Sequence, residues 1–377
     1  MAKRRKKKLR LKYKNFAILL AALLVLVLAI VWICTPNDKP QADDDLNNNV
    51  QQDDIELPPL EDEEEVRMTT DPTLQTSYVF TAISKTEADL GVGELVLVNN
   101  NIAFRGTVTE DDLVVVREKK NQSYSVKDYS VMVKPITMDA VNNMMLGFYT
   151  AMQNDDVMVI SGHRTIEYQQ DLYDDELAET GLTTSTLVSR AGYSEHHTGY
   201  VVDFKLYHDD GTSEQFDGTG DYAWIMDNCH TYGFINRYPA GKEKLTLIDN
   251  EPWHFRYVGP VHASIITEYG FCLEEYIEFL KNYTIDTGFL LKAMPDGKQY
   301  IIYYVPMVDP ANTSVCIPLM ADRQTPYPYE ISGNNIDGWI LTVDVTDFSA
   351  TNVELTPEIT PDATPDVNTE GNAEGEE

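Results

Sequence analysis

Two short stretches of this sequence place side chains that could bind a metal and move protons. In SEHHTGYVVDF, His196 precedes a glycine-containing turn, and Asp203 lies on the strand predicted to follow. In EPWHFRYVG, Glu251 stands three residues before His254. Imidazole nitrogens and carboxylate oxygens are ordinary zinc ligands, and a catalytic zinc site commonly uses three of them. Together the stretches predict a metal site of His196, Asp203 and His254, with Glu251 as the general base.

Each stretch taken alone is also typical of a structural role. A histidine before a glycine turn, an aspartate on a strand, or a loop anchored by Trp253 more often serves the fold than a metal. The joint pattern favours the metal site, because it supplies three ligands and a base at once.

A third stretch, ISGHRTIEYQ, places Arg164 beside the predicted start of a helix, after a buried strand and a Ser-Gly turn. A cation at a helix N-terminus opposes the helix dipole, so this position lowers stability. An arginine fork can hold a carboxylate or an oxyanion through two hydrogen bonds. The stretch therefore predicts an anion-binding Arg164, with a surface arginine in a local salt bridge as the alternative.

The elements that must position these residues mix helices and strands without a regular βαβ alternation. Helical spacing and stop signals predict helices over 139–154, 165–180, 222–234 and 260–271. Short runs rich in β-formers predict strands over 93–101, 157–160 and 199–204. We expect an α+β fold rather than a doubly wound α/β sheet.

In chain order, SGHR…YQ, GYSEHHTGYVVDF and YGFINRYP…EPWHFRYVG resemble the motifs of the VanY-type zinc D-alanyl-D-alanine carboxypeptidases. The resemblance covers residues 90–275 and implies the Hedgehog/DD-peptidase-like zinc fold. It implies a Zn2+ ion held by His196, Asp203 and His254, with Glu251 as the catalytic base. It also implies that Arg164 takes part in catalysis by binding the terminal carboxylate or the polarised carbonyl of the substrate. The further substrate-binding residues that it implies are Gln169, Ser194, Tyr238 and Trp253.

The resemblance implies hydrolytic removal of the C-terminal D-Ala from peptidoglycan stem peptides in cell-wall remodelling. An L,D-carboxypeptidase acting on tetrapeptide stems stays open, because the motifs do not separate the two specificities. A non-catalytic wall-binding protein is the alternative from another class, and the intact Glu251 argues against it. Binding of cations or basic partners by the acidic segments would leave the three motifs unexplained.

The charge of this chain is segregated, although its net value is −32. The first 14 residues hold nine Lys and Arg and no acid, and they adjoin 19 uncharged residues, 16–34. A helix of that length spans a hydrocarbon layer of ~30 Å. Basic residues before it and acidic residues after it predict one uncleaved transmembrane helix, with the catalytic domain outside the cell and facing the wall. A cleaved signal peptide or a lipidated Cys34 is less consistent with the residues before Cys34.

The chain divides by composition into six segments. They are a basic cytoplasmic segment (1–15), a transmembrane helix (16–34), an acidic disordered stalk (35–75), a globular domain (76–285), a small β-rich C-terminal appendage (286–347) and a disordered acidic tail (348–377). The resemblance implies that the domain over 76–285 is the zinc carboxypeptidase domain. The appendage aromatics are expected in a sheet core, with a glycan-binding surface as the alternative. Cysteine spacing indicates neither a disulfide framework nor a cysteine zinc site, and a Cys229–Cys272 pair stays open. We expect no nucleic-acid partner, because the basic cluster adjoins the predicted membrane span. We also expect a monomer.

Overall fold

The computed structural model of this protein describes residues 78–347. The predicted cytoplasmic segment (1–15), transmembrane helix (16–34), stalk (35–75) and tail (348–377) lie outside the described residues. Every helix within 78–347 is too short or too polar to cross a bilayer.

The described residues form a mixed α/β arrangement. The α-helices are α1 (Val116–Lys119), α2 (Pro135–Met152), α3 (Ile166–Thr180), α4 (Ala223–Asn228), α5 (Glu243–Thr246), α6 (Pro260–Tyr269) and α7 (Leu273–Leu280). The strands are β1 (Val79–Lys85), β2 (Val114–Val115), β3 (Ser125–Val126), β4 (Met132–Val133), β5 (Val157–Ser161), β6 (Val201–Tyr207), β7 (Ser213–Gln215), β8 (Phe234–Tyr238), β9 (Glu251–Tyr257), β10 (Leu290–Ala293), β11 (Gln299–Pro306), β12 (Thr313–Leu319), β13 (Tyr329–Gly333) and β14 (Gly338–Asp344). Short 3-10 helices span Glu87–Gly91, Glu110–Asp112, Glu195–Thr198, Gly220–Tyr222 and Cys229–Tyr232.

A central sheet with the strand order β3-β5-β6-β9-β8 supports the predicted site. Its pairings are antiparallel except for β3 with β5, and β7 extends it by pairing with the end of β6. Helix α2 contributes Met144 and Phe148 to the same core cluster as Phe204 of β6 and Phe255 of β9. The middle of the sheet is therefore packed against a helix that carries none of the predicted metal-binding side chains.

Apart from the segment 93–101, the predicted helices and strands lie where the structure has them, with differences at their ends. Helix α2 begins four residues earlier than predicted, because Pro135 at its first position needs no hydrogen-bonded N–H. Helix α3 begins after Thr165, whose hydroxyl accepts the N–H of Tyr168, and ends at Gly181 with φ of 70°. The helix predicted over 222–234 is α-helical only as far as Asn228 and continues as a 3-10 turn.

The predicted strand over 93–101 is wrong. Residues 95–98 are buried, but the paired backbone there is limited to an isolated bridge between Asn99 and Ile102. The backbone of this segment instead binds side chains and a distant loop. Arg256 donates to the carbonyls of Glu94 and Val96 at 2.8 and 2.9 Å. Within residues 78–347, this apolar run is therefore a buried segment that pairs with no strand.

The C-terminal strands form an antiparallel sheet with the order β10-β11-β14-β13, and β12 pairs with β1 from the other end of the described chain. Tyr303, Tyr304, Tyr327 and Trp339 are buried and Tyr329 is exposed, so the expectation of a sheet core is confirmed for four of these five aromatics of the appendage. Tyr304 and Ile340 belong to the same apolar cluster as residues of α6 and α7. The C-terminal sheet is thus packed on the rest of the fold. The three described cysteines, Cys229, Cys272 and Cys316, are free thiols.

Candidate metal and catalytic site

The register of the central sheet brings the predicted residues of three strands into one row. On β6, Asp203 lies directly opposite His254 of β9 and, on its other side, opposite Ser161 of β5. Glu251, at the start of β9, lies opposite Tyr238 of β8. Residues that are up to 93 positions apart, as Ser161 and His254 are, therefore meet across hydrogen-bonded strands.

His196 reaches the same point through a tight turn. It lies on the 3-10 helix Glu195–Thr198, and Gly199 ends that helix with φ of 74°, a conformation that suits glycine. The chain then enters β6, and His196 Nε2 lies 3.2 Å from Asp203 Oδ2. His196 Nδ1 donates to the carbonyl of Gly162 at 2.6 Å, which leaves the lone pair on Nε2.

His254 completes a buried triad. Its Nδ1 lies 3.0 Å from Asp203 Oδ1 and 3.5 Å from Glu251 Oε2. One ligand atom from each of His196, Asp203 and His254 lies within 4.8 Å of the others. The predicted ligand set and the predicted base are thus brought together in the fold.

All nine predicted site residues line one cavity of about 190 Å³: Arg164, Gln169, Ser194, His196, Asp203, Tyr238, Glu251, Trp253 and His254. Leu187, Val188 and Ile248 form much of the remaining wall. The cavity therefore combines a charged end with a short apolar wall, which suits a small substrate residue with a charged terminus.

Arg164 sits at the edge of this cavity with its guanidinium held on two sides. Its Nε donates to Ser161 Oγ at 3.0 Å and its Nη2 to Asp203 Oδ2 at 2.7 Å. Its Nη1 lies 3.4 Å from Gln169 Oε1, and Gln169 in turn donates to the Ser189 carbonyl at 2.6 Å. The side chain is 17% exposed, so the charge can meet a ligand in the cavity.

His197, the neighbour of His196, makes its hydrogen bonds with the backbone and not with the triad. Its Nδ1 lies 2.8 Å from the carbonyl oxygen of Arg164, and its Nε2 accepts the N–H of Gly192 at 3.0 Å. The neutral ring with its proton on Nδ1 satisfies both contacts. His197 therefore fixes the backbone at Arg164 rather than binding the metal.

Burial and the neighbouring charges set the protonation of the site. Burial raises the pKa of Glu251 to about 7, which suits a group that must accept and return a proton near neutral pH. Burial, with Arg164 nearby, lowers the pKa of His196 to about 4, so this imidazole is neutral and has a free lone pair. Although burial opposes ionisation of Asp203, its hydrogen bonds and charge contacts with His196, His254 and Arg164 hold its pKa well below the usual range.

The triad fits a divalent metal on two observations. Asp203 Oδ1 is buried and receives no hydrogen bond of good geometry from the described residues, although His254 Nδ1 lies 3.0 Å away. Asp203 and Glu195 raise the pKa of His254 to about 9 against the effect of burial. The site thus favours a positive charge where the ligand atoms converge, and two imidazoles with one carboxylate are a zinc-type donor set.

Sequence reasoning missed a cluster of four buried charges behind the triad. Glu195 Oε1 accepts from Arg237 Nε at 2.8 Å and from Arg256 Nη1 at 2.7 Å. Although burial opposes its ionisation, both arginines hold the pKa of Glu195 well below the usual range. Arg237 also forms a two-pronged ion pair with Glu274 of α7. The available signal was an arginine inside each of the strands FINRY and EPWHFRY, where a buried cation requires a buried partner.

Comparison with known proteins gives the same family for several independent matches. The family model described as "VanY: D-alanyl-D-alanine carboxypeptidase" matches residues 133–260. A D-alanyl-D-alanine carboxypeptidase of Enterococcus faecium is 34% identical over 265 residues, which are 68% of this chain and 77% of the relative. A second D-alanyl-D-alanine carboxypeptidase, from Enterococcus faecalis strain ATCC 700802 / V583, is 41% identical over 130 residues, 32% of this chain and 47% of the relative.

A solved structure extends the similarity beyond the part that the family model matches. The crystal structure of the vancomycin resistance D,D-dipeptidase VanXYg, in complex with a D-Ala-D-Ala phosphinate analogue, is 31% identical in sequence. The match has a TM-score of 0.61 and covers 71% of this chain and 99% of that chain. The described part of this chain therefore shares its fold with a peptidase.

Proposed function

This chain belongs to the family of VanY D-alanyl-D-alanine carboxypeptidases, and from that premise we propose that it is a zinc-dependent enzyme that removes the C-terminal D-Ala from peptidoglycan stem peptides. The observation that carries the proposal is the convergence of a ligand triad, a base and an arginine on one small cavity. This combination supports the hydrolysis of a peptide bond next to a free carboxylate.

His196, Asp203 and His254 would hold the zinc ion. When bound there, zinc supplies Lewis-acid polarisation of the scissile carbonyl and lowers the pKa of its water. Glu251 then takes one proton from the attacking water as the water oxygen bonds to the carbonyl carbon. The carboxylic acid so formed gives that proton to the leaving amine nitrogen when the C–N bond breaks. A pKa of about 7 suits Glu251 to both transfers.

Arg164 gives the proposed enzyme its preference for a chain end. The guanidinium lines the cavity beside Asp203 and offers N–H groups to a carboxylate oxygen. The apolar wall of Leu187, Val188 and Ile248 would receive a small side chain such as the methyl group of alanine. The enzyme is thus proposed to be an exopeptidase.

The location of the enzyme is a further part of the proposal. The basic residues before the uncharged run 16–34, and the acidic residues after it, support a single-pass membrane protein with its catalytic domain facing the cell wall. Protease added to intact cells without their wall should then remove the catalytic part and leave the N-terminal segment protected.

The test of the activity uses the purified full-length chain loaded with zinc. It would be incubated with a stem pentapeptide ending in D-Ala-D-Ala and with the corresponding tetrapeptide, and the release of alanine would be followed by mass spectrometry. We expect release of one D-Ala from the pentapeptide alone, and a rate about 10²–10⁴-fold lower for Glu251→Gln, because that change removes the proton acceptor.

Two other outcomes would contradict the proposal. Release from the tetrapeptide alone would make the protein an L,D-carboxypeptidase. Zinc binding without hydrolysis of either peptide, with the peptides still bound, would indicate a wall-binding protein.

A further inference from the structure

We infer that Glu195 is a positioning residue for the metal site, which orients His254 through the imidazole Nε2 so that Nδ1 faces the other two ligands. The inference deepens the proposed function and rests on its metal site, although it does not depend on which peptide is cleaved.

The geometry divides the two nitrogens of His254 between two carboxylates. Nδ1 lies 3.0 Å from Asp203 Oδ1 on the ligand side. Nε2 lies 3.5 Å from Glu195 Oε2 on the opposite side. Both Nε2 and Glu195 Oε2 are buried, and neither meets hydrogen-bond geometry with any described residue, so that the other atom of this pair, 3.5 Å away, is the polar group left facing it. Each is therefore the partner within reach of the other.

The chemistry of metal binding requires this division. A neutral imidazole carries one proton, and the nitrogen that binds the metal must be the unprotonated one. If Nδ1 is to bind, the proton must lie on Nε2, where a carboxylate accepts it. A buried carboxylate at Nε2 both selects that tautomer and fixes the ring plane, and such partners raise the basicity of the ligand.

Glu195 is itself held so that only one of its oxygens can serve His254. Its Oε1 accepts from Arg237 and Arg256 at 2.8 and 2.7 Å, and both guanidinium groups are fully buried. With Oε1 occupied on two sides, the carboxylate cannot rotate without breaking both ion pairs. Oε2 is therefore fixed in the direction of His254.

The arginines are anchored in turn by parts of the fold outside the site. Arg237 donates to both oxygens of Glu274 at 2.8 and 2.7 Å. Arg256 donates to the carbonyls of Glu94 and Val96. Two guanidinium and two carboxylate groups balance in charge, which allows the cluster to stay buried. This network makes Glu274 a matched control, because it balances the same arginine without facing His254.

The experiment measures the zinc Kd of the full-length chain by competition with a chromophoric chelator. In Glu195→Gln the arginines, which only donate, would hold the carboxamide oxygen, so its NH2 would face His254 Nε2. That group donates a hydrogen bond and favours a proton on Nδ1, where it blocks the metal. We expect the zinc Kd to rise about 10–100-fold, as for other partners of ligating histidines. Glu274→Gln removes a charge from the same cluster but leaves the Glu195 carboxylate facing His254, so its zinc Kd should rise much less than that of Glu195→Gln.

If Glu195 served only the stability of the fold, Glu195→Gln and Glu274→Gln would both lower the free energy of unfolding, and neither would change the zinc Kd. That result would overturn the inference. A readout on the unmodified protein covers the case in which Glu195→Gln does not fold. Nitrogen-15 spectra of the histidine-labelled, zinc-loaded wild type should show His254 with its proton on Nε2. A proton on Nδ1 would sink the inference. Zinc binding in this tautomer without peptide hydrolysis would sink the proposed function alone.

Discussion

At the scale of single residues, the charges of the site meet on Asp203. Its carboxylate lies 3.2 Å from His196, 3.0 Å from His254 and 2.7 Å from Arg164. A carboxylate that bonds to a metal has less negative charge left for an arginine. Arg164 can therefore serve catalysis in two ways, by binding the substrate carboxylate or by orienting Asp203, and the two roles predict different kinetics.

The first role predicts that Arg164→Lys weakens the enzyme only for substrates with a free C-terminal carboxylate. The lysine keeps the charge but loses the planar fork with its paired N–H groups. A hydrogen bond to a charged group contributes about 1.5–3 kcal/mol, so kcat/KM for the pentapeptide should fall about 10–100-fold. The wild type and the variant would be compared on the pentapeptide and on its C-terminal amide.

The amide is the control for the second role. It lacks the anionic carboxylate, so we expect the wild type and Arg164→Lys to cleave it at similar, low rates. An equal loss on both substrates would show instead that Arg164 acts through Asp203.

Residue chemistry made most of the candidate site predictable from sequence. It did not predict the buried charged residues that lie behind the triad. The convergence of His196, Asp203, Glu251 and His254 could be predicted, because zinc chemistry restricts ligand types and the motifs restrict their spacing. Glu195 was passed over although it stands beside His196. Its role depends on Arg237 and Arg256, which lie 42 and 61 positions away and meet it only in the folded sheet.

At the scale of elements, the strand register decides which residues meet, and spacing alone does not determine it. Asp203 faces His254 because β6 and β9 are antiparallel in one register, and a shift by one residue would turn one of the two side chains to the other face.

The failed strand prediction over 93–101 also comes from contacts that are distant in sequence. Its apolar residues predicted a strand, but its carbonyls are taken by Arg256, a partner that no local pattern can show.

Helices α6 and α7 and strand β14 are joined by one buried imidazole, which predicts a pH-dependent stability. His262 of α6 lies 2.7 Å from the Tyr276 hydroxyl on α7 and 2.8 Å from Thr342 Oγ1 on β14. Hydroxyl groups can donate or accept, so the neutral ring is satisfied. Burial lowers the pKa of His262 to about 3.

The direction of the pH dependence of stability follows from the lower pKa of His262 in the folded state. The unfolded chain binds a proton on this histidine below its ordinary pKa of about 6.5, whereas the folded chain excludes it. The contribution of the neutral His262 ring to the free energy of unfolding is therefore complete above about pH 6.5, and it is lost as the pH falls toward about 3. The loss should reach about 3 kcal/mol of unfolding free energy at pH 4.5, at 1.36 kcal/mol per pH unit.

Urea denaturation of the wild type and of His262→Gln at pH 7.5 and 4.5 would measure this effect. Carboxylates also titrate in this range, so the quantity of interest is the difference between the two proteins. The variant should be the less stable protein at pH 7.5 and should lose less stability on acidification. Parallel pH profiles would exclude His262 as the source.

At the scale of the whole molecule, the C-terminal strands contact earlier parts of the described chain. Strand β12 pairs with β1 over Thr313–Leu319, and Tyr304 and Ile340 share an apolar cluster with α6 and α7. Helix α7 also supplies Glu274, which holds Arg237 behind the metal site. The sequence predicted this region to be an appendage because it changes to β-rich segments separated by turn residues. Composition, however, does not show which surfaces pack together. We infer that the sheet and the metal site unfold together.

Gly333 offers the means to test that inference. Its N–H donates to the carbonyl of Val92 at 2.8 Å, which joins β13 to the segment after the 3-10 helix Glu87–Gly91. A Cβ at this position would lie 2.5 Å from the carbonyl carbon of Leu90 and 2.6 Å from the carbonyl oxygen of Asp89. Backbone cannot move aside as a side chain can, so Gly333→Ala should lower the free energy of unfolding by about 1–3 kcal/mol.

The decisive observation is the number of transitions. Denaturation of zinc-loaded Gly333→Ala would be followed by far-ultraviolet circular dichroism and by release of zinc to a chelator. If one cooperative unit contains both regions, the two curves should coincide and should shift together relative to the wild type. Glu330→Ala, at an exposed position on the same strand, is the control and should change the stability by less than about 0.5 kcal/mol. A Gly333→Ala protein that loses sheet signal first and keeps its zinc would show instead that the C-terminal sheet is an autonomous domain. Its packing on α6 and α7 would then contribute nothing to holding Glu274, Arg237 and the metal ligands in place.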